Sequence, residues 1–491
     1  MNSRNRHRYI RLFAGFVLWM AACFCPGTVS AAGNGTCEAD SLALHGADQT
    51  PAGTAKATAG SAAEDTPGST AKATQGNAAG SAAEATPGSA AGSATKVVGD
   101  RRFPIAGFDA NDTSAEEDPK QKRPLTHRIG AEFRPEHIFT INPFLQGENL
   151  AQLPVDLSLA AHLKYAFGFH PGSRADRVYG GVYQGIGAAY YDFANPRELG
   201  NPVAVYLFQG ARIARLAKRL SLDYEWNFGL SFGWKPYDRE QNSHNVMMGS
   251  KVNALLNVNF FLRWMLTREL DLTIGPTLTH FSNGNTRLPN AGLNSAGLQA
   301  GLTYNFGRER AEIPERSAAP PFRRHMSYDV VLFGSWCSKG VEVGGAYYAS
   351  PDTYPVVGLN VSALYNFGYK FRAGVSLDGV YDGSANIYVP DYIIGTEMEF
   401  VRPSIDRQLA VGLSARAEFV MPYFTIGLGL GANIFHKGGD LKSFYQILAL
   451  KVGITRSSFL HIGYSLRDFH MLNFLMLGVG YRFNNKYPRH Y

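Results

Sequence analysis

Apolar and polar residues alternate along most of the chain between His127 and Phe483. In the run 155–167 the odd positions are apolar, whereas the even positions include Asp156, Ser158, His162 and Lys164. The same split recurs in the runs 409–419 and 446–454. Successive side chains of a strand point to opposite faces, so this pattern predicts strands with one apolar and one polar face. About 16 such segments follow one another, each of roughly the length with which a tilted strand crosses a membrane.

A water-soluble β-sandwich would also alternate, but three features favour a membrane barrel. The predicted strands are long and joined in up-and-down order, and their polar faces are rich in Gly, Asn, Arg and Asp, which suits a wet lumen. The last strand alternates and closes on an aromatic residue, in the order Leu475, Leu477, Val479, Tyr481 and Phe483. The sequence therefore predicts an all-β, antiparallel, up-and-down transmembrane β-barrel over residues 127–483, followed by a tail at 484–491.

One long interruption divides the predicted strands. Residues 307–324 are polar, basic and Pro-rich, and they separate two sets of about eight strands. The segment is either one unusual turn within a large barrel or a connection between two small ones. We predict a single barrel of about 14–16 strands, with two barrels of about eight strands as the alternative.

The region before the barrel has two parts. Residues 1–31 combine a basic start, an apolar run and small residues at Ala31 and Ala32, which predicts a cleaved signal peptide. A lipoprotein cleavage site before Cys23 is the less favoured alternative. Residues 32–126 consist mostly of Ala, Gly, Ser, Thr and Pro, which cannot bury enough apolar surface to offset chain entropy. We expect this segment to be a disordered linker.

Composition narrows the function classes. Charged residues make up 18% of the chain and aromatic residues 12%, and part of the net charge of +7 lies in the predicted signal peptide, so nucleic acid is not an expected partner. Once the signal peptide is removed, Cys37 and Cys337 remain, and we expect two isolated thiols. No metal-ligand cluster or phosphate-binding motif is present, so no cofactor is predicted. The sequence Gly229 to Gly233 matches a nucleophile elbow, but it lies inside a strand run, where that motif does not function.

A polar pair in the run 272–306 is the strongest candidate for chemistry. Residues two apart on a strand share a face, so His280 and Ser282 can approach each other. A Ser beside a His is the minimal activated nucleophile. The His280 side of this strand also carries Leu278, Pro276, Ile274 and Leu272, so the pattern places the pair on the lipid-facing surface. The alternative is that both residues lie in an extracellular loop above the membrane.

The segment around this pair resembles a known family. The sequence His280-x-Ser282-Asn283, followed by Pro289-Asn290-x-Gly292, is similar to that of the outer-membrane lipid A 3-O-deacylases, which remove an ester-linked acyl chain from lipopolysaccharide. The resemblance implies that His280 is the general base and Ser282 the nucleophile. It also implies an oxyanion or binding role for Asn283, Gly284 and Asn285.

Two departures from the family accompany this resemblance. The acidic residue that orients the histidine in the family falls, by spacing, at Asn294. An amide oxygen can accept the hydrogen bond of the ring but cannot stabilise an imidazolium by charge. The family barrel has about eight strands, which leaves roughly half of this chain unaccounted for.

The leading hypothesis is an outer-membrane esterase that acts on outer-leaflet lipid A without a metal or cofactor, using His280, Ser282 and Asn294. A phospholipase-like acyl hydrolase with the same residues is the first alternative. A non-catalytic pore or binding barrel is the second. The sequence leaves the oligomeric state open.

Overall fold

Sixteen antiparallel strands make up most of the described chain, which comprises residues 125–344, 346–390, 398–469 and 471–487 of a computed structural model. The predicted signal peptide and nearly all of the predicted linker lie outside these residues. The strands of the first half are β1 (Leu125–Ile138), β2 (Leu157–Phe169), β3 (Tyr183–Asp192), β4 (Val203–Arg215), β5 (Leu220–Phe232), β6 (Val252–Met265), β7 (Leu270–Ser282) and β8 (Leu293–Phe306). Two short helices, α1 (Pro143–Gln146) and α2 (Arg174–Tyr179), lie in their connections.

The second half repeats this arrangement. Its strands are β9 (His325–Val343), β10 (Ala346–Asn366), β11 (Phe371–Asp382), β12 (Leu409–Val420), β13 (Phe424–Phe435), β14 (Phe444–Gly453), β15 (Ser458–Arg467) and β16 (Met471–Phe483). A single 3₁₀ turn, Ile405–Arg407, precedes β12. Among the described residues, no helix has the length and apolarity needed to cross a bilayer.

The strands form two sheets, and each sheet closes into a barrel. Strand β8 pairs with β1, with Phe306 opposite His127, and strand β16 pairs with β9, with Phe483 opposite Tyr328. The all-β, antiparallel, up-and-down class is thus confirmed, but the strands form two closed barrels of eight, and the single barrel of 14–16 strands is wrong. Alternation is the same in either closure, because it records which face of a strand is buried and not which neighbour completes the ring. The segment 307–324 is the connection between the barrels.

Both lumens are filled with paired charges. In the first barrel Arg134 contacts Glu132 at 2.6 Å and Lys164 contacts Glu225 at 2.8 Å. In the second, Asp329 lies 2.7 Å from Lys451 and 2.6 Å from Arg482. The interior cavity beside Lys164 measures about 20 Å³, which is room for about one water molecule.

The outer faces of both barrels are apolar, and the barrels pack against each other through part of these faces. Both belong to one compact unit of the chain. Trp226 on β5 meets Phe424 on β13 edge to face, with 5.1 Å between ring centroids. Elsewhere large apolar side chains such as Leu163 and Val375 stay exposed, at 68% and 62%. Exposed apolar bands of this kind suit contact with lipid.

The connections of each barrel differ between its two ends. In the first barrel, strands β1 and β2, β3 and β4, β5 and β6, and β7 and β8 are joined at one end, here called the long-loop end. The other end holds the turns 216–219 and 266–269 and the segment with α2. Strand β8 ends, and β9 begins, at this short-turn end. The end of the second barrel at which β9 and β10 are joined therefore lies on the same side as the long-loop end of the first barrel.

Candidate active site

The β7–β8 hairpin positions the candidate residues at the long-loop end of the first barrel. Thr273, Thr277 and Thr279 are buried in the lumen, so the alternating residues of β7 point outward. His280 is on this outer side and lies directly opposite Asn294 on β8. Ser282 ends the strand two residues later on the same side. The strand pairing thus brings all three residues together at one end of one hairpin.

The histidine is held by the asparagine. The His280 Nδ1 atom lies 2.6 Å from the Asn294 amide oxygen, and Asn294 is 8% exposed. Because a carbonyl oxygen only accepts, Nδ1 carries the proton of a neutral ring, and Nε2 is the basic nitrogen. Gly292 leaves room for the ring: a Cβ atom there would lie 3.2 Å from His280 Cε1, and its φ of +71° also favours glycine.

Two N–H groups donate to the candidate nucleophile. The Gly284 backbone N–H and the Asn290 side-chain amide each lie 3.1 Å from Ser282 Oγ. Ser282 itself is 3% exposed. The Ser282 hydroxyl in turn lies 3.3 Å from the Asn290 side-chain oxygen, to which it donates. The two N–H groups are therefore candidate oxyanion donors, because they lie next to the oxygen that would attack an ester carbonyl.

The remaining candidate residues hold the loop 283–292 in shape. The Asn283 backbone N–H donates to the Asn290 side-chain oxygen at 3.0 Å, and its side chain donates to the Arg287 carbonyl at 2.7 Å. The Asn285 side-chain oxygen accepts from Asn290 at 3.0 Å. Of the three residues assigned an oxyanion or binding role from sequence, Gly284 is therefore the one whose backbone N–H reaches Ser282.

Sequence reasoning gave Asn290 no role, although the residue belongs to the motif on which the resemblance rests. Its side chain contacts Ser282, Asn283 and Asn285 at once. Only its spacing after Ser282, within Pro289-Asn290-x-Gly292, signalled it in the sequence. Strand periodicity could not identify Asn290, because its contact with Ser282 depends on how the loop 283–292 folds back.

The outer face of β7 is not open to lipid at the level of the nucleophile. The loop 283–292 folds over Ser282, and Asn285 in this loop donates to the Leu472 carbonyl of β16 at 3.1 Å. Both residues therefore lie on the outward side of β7, as the pattern predicts, but Ser282 is covered by this loop and is not open to lipid. A strand pattern gives the side on which a residue lies but not what another part of the chain lays over it.

Other motif residues lie away from this hairpin. Ser231, in the pattern that resembles a nucleophile elbow, is a buried residue of β5 that donates to the Asn253 carbonyl at 2.9 Å. Cys337 is a buried free thiol in β9. Within the described part of the chain, no group of three or more His, Cys, Asp or Glu side chains could hold a metal ion.

The fold and the hairpin together define a protein of two β-barrels of the outer-membrane type, the first of which carries a candidate hydrolytic site. The family model for lipid A 3-O-deacylase (PagL) matches residues 150–303. The model for the C-terminal domain of acyloxyacyl hydrolase matches residues 326–485. One match falls on each barrel: the first barrel is similar to the lipid A 3-O-deacylases and the second to the C-terminal domain of acyloxyacyl hydrolases. The resemblance inferred from the hairpin is thereby confirmed at the level of the family.

Solved structures similar to this chain are outer-membrane proteins of low sequence identity. Neisserial surface protein A is 10% identical, over 37% of this chain and 96% of its own, with a TM-score of 0.23. The FrpB iron transporter from Neisseria meningitidis is 10% identical, over 73% and 70%, with a TM-score of 0.18. The Acinetobacter baumannii outer membrane protein Omp33 is 9% identical, over 74% and 99%, with a TM-score of 0.14. At these scores the fold rests on the strand pairing of this chain alone. No curated protein sequence matches it.

Proposed function

We propose that the first barrel is a serine esterase that removes an ester-linked acyl chain from lipid A in the outer leaflet of the outer membrane. The observation that carries the proposal is the hydrogen bond of 2.6 Å between His280 Nδ1 and the Asn294 side-chain oxygen. It orients a histidine whose other nitrogen is basic, on the same strand face as Ser282.

The reaction follows from these groups. Ser282 Oγ attacks the ester carbonyl carbon while His280 accepts the hydroxyl proton. The Gly284 N–H and the Asn290 amide stabilise the tetrahedral oxyanion. Collapse of the intermediate breaks the ester bond, and the His280 proton passes to the leaving sugar hydroxyl. Water, deprotonated by His280, then attacks the acyl-enzyme and releases the fatty acid, which restores Ser282.

The loop arrangement supports the outer leaflet as the site of action. In outer-membrane barrels the short turns lie on the periplasmic side and the longer loops outside the cell. The hairpin tip 283–292 belongs to the long-loop end, so this orientation brings Ser282 to the level of lipopolysaccharide. Localisation of the chain in the outer membrane is part of the proposal.

The contents of the lumens argue against a pore. Charged residues such as Arg134 and Asp329 lie across the two interiors in ion pairs, and the cavities beside Lys164 and Asp378 measure about 20 and 40 Å³. A conducting barrel needs a continuous wet channel, which eight strands hardly leave room for.

The test is a mass spectrum of lipid A from cells that express wild type, Ser282→Ala or Ser231→Ala. Wild type should yield lipid A lighter by one ester-linked acyl chain, and Ser282→Ala should yield unmodified lipid A. Ser231→Ala is the matched control, because it removes the serine of the other nucleophile motif in the same barrel, and it should behave as wild type. Unmodified lipid A together with free fatty acid from phospholipid would support the phospholipase-like alternative instead.

A further inference from the structure

We infer that the second barrel positions the active site of the first, with Asn285 as the positioning residue that links them. The inference rests on the proposed function, since it concerns the same site. It assigns a role to the half of the chain that the catalytic hairpin does not use.

Asn285 joins the nucleophile to the second barrel through a continuous set of hydrogen bonds. Its side-chain oxygen accepts from the Asn290 amide at 3.0 Å, and the same amide donates to Ser282 Oγ at 3.1 Å. Its side-chain nitrogen donates to the Leu472 carbonyl of β16 at 3.1 Å. One side chain therefore contacts both the group that orients the nucleophile and the neighbouring barrel.

Strand β9 binds the same stretch of loop through Ser338. The Ser338 backbone N–H donates to the Asn285 carbonyl at 2.9 Å, and its hydroxyl donates to the Thr286 carbonyl at 3.2 Å. Together with the bond to Leu472, three hydrogen bonds hold two consecutive loop residues against the second barrel. A loop fixed at two consecutive residues keeps little of the freedom that an exposed hairpin tip would have.

Close packing adds to these hydrogen bonds at Gly284, whose N–H donates to Ser282. A Cβ atom on Gly284 would lie 2.7 Å from the Tyr464 ring of β15, and its φ is +66°. The donor N–H thus lies on a loop that packs directly on the second barrel. The outer face of β15 brings Tyr464 and Leu466 to this end of the barrel, both of them buried.

The physical consequence is preorganisation. An oxyanion donor contributes only when it is already aimed at the developing charge, and a displacement of about 1 Å can cost roughly 100-fold in rate. The first barrel supplies the reacting groups on β7 and β8, and the second fixes the loop that carries the donors. We therefore assign deacylation to the junction of the two barrels.

The experiment compares four variants of the full chain in detergent or liposomes. Ser338→Ala removes only the bond to Thr286 and is the cleaner test of the contact between barrels. Asn285→Gly removes the bonds to both Leu472 and Asn290, without straining a residue whose φ is +61°. Ser335→Ala is the matched control, because the Ser335 hydroxyl also donates from β9 to a main-chain carbonyl, that of Leu475 within the second barrel. Ser338→Thr keeps the hydroxyl and should restore the wild-type rate.

Two readouts are measured: labelling of Ser282 by a fluorophosphonate, and hydrogen exchange of the loop amides 283–287. Labelling forms an Oγ–P bond and expels fluoride, so it needs the nucleophile and its donors but no lipid A. Both test variants should label about 10- to 100-fold more slowly than wild type and exchange faster in the loop, while Ser335→Ala matches wild type.

The outcomes separate the inference from the proposed function. Labelling and loop exchange at wild-type levels in both Ser338→Ala and Asn285→Gly would overturn the inference and leave the esterase intact. A wild type that is never labelled at Ser282 would refute the esterase. Loop exchange would then still decide whether the second barrel holds this loop, because unchanged exchange in both variants contradicts it and faster exchange supports it.

Discussion

Asn294 occupies the position at which the family is expected to carry an acid. Its amide oxygen binds the histidine ring at 2.6 Å, as an orienting carboxylate would, but carries no charge. A carboxylate does two things in such a triad: it fixes the tautomer of the histidine and stabilises the imidazolium. Asn294 supplies the first and lacks the second.

Substitutions of Asn294 should therefore change the rate of deacylation in opposite ways. Asn294→Ala should lower the rate of deacylation by roughly 10²–10⁴-fold, the range expected when acid–base catalysis is impaired. Asn294→Glu should keep or raise the rate, because a carboxylate also stabilises the protonated His280. Rates are measured on purified lipid A, with heat-modifiable gel mobility as the control for folding. Wild-type activity in Asn294→Ala would mean that another group orients the histidine.

Asn290 allows a second prediction at the same scale. If its amide stabilises the oxyanion, Asn290→Ala should lower kcat by about 10²–10³-fold with little change in KM. Asn290→Asp keeps the shape but replaces the donor by an acceptor, and it should be at least as impaired. Equal kcat values for Asn290→Asp and wild type would exclude Asn290 as a donor to the transition state.

The role of Asn294 could be predicted from the sequence and that of Asn290 could not, for a physical reason. Asn294 was identified from spacing, because strand pairing across a hairpin is regular and places it opposite His280. Asn290 lies in a loop whose path no period describes. Its contacts with Ser282 and Asn285 depend on positive φ values at Gly284 and Asn285, which the sequence permits without specifying them.

At the scale of elements, strand positions were predictable and strand closure was not. The alternation in the run 155–167 corresponds to β2, and that in 409–419 to β12. Which strand completes a ring depends on pairings between residues far apart, such as His127 with Phe306. The informative signal was the length and Pro content of residues 307–324, which exceed those of the turn 266–269.

The β10–β11 turn contributes a pH-dependent contact between the barrels. Lys370 donates from this turn to the Tyr179 carbonyl of α2 at 3.1 Å. Burial, together with the positive charge of Arg316, lowers the pKa of Lys370 to about 7 from its usual 10.5. Below pH 7 the lysine is charged in the folded and unfolded states alike, so the full cost of burying the charge is present. Between pH 7 and 10.5 only the unfolded state keeps the proton, so stability rises with pH.

The corresponding experiment is thermal unfolding of wild type and Lys370→Met in detergent at several pH values. Relative to wild type, the variant should gain stability at pH 6, and the gain should shrink steadily as pH rises toward 10.5. Loss of the hydrogen bond to Tyr179 lowers the stability of the variant equally at every pH, so it leaves this slope unchanged. A difference between the two proteins that does not vary with pH would contradict the lowered pKa.

At the scale of the whole molecule, two filled barrels predict an insulating protein. The ion pairs around Asp329 and Arg134 occupy the interiors, and the cavity beside Lys164 has room for about one water molecule. Wild-type protein reconstituted in a planar bilayer should therefore give no stable conductance steps. Regular steps at low voltage would show that at least one lumen opens.

The connection at residues 307–324 gives the contacts between the barrels a further property. Because it ties β8 to β9, the two barrels meet at an effective concentration set by the tether and not by expression level, in the millimolar range for short flexible linkers. An interface too weak to hold separate proteins together in a membrane therefore suffices here. The few hydrogen bonds at Asn285 and Ser338 can thus persist however dilute the protein is. Each copy of the chain carries its own partner barrel in a fixed ratio of one to one.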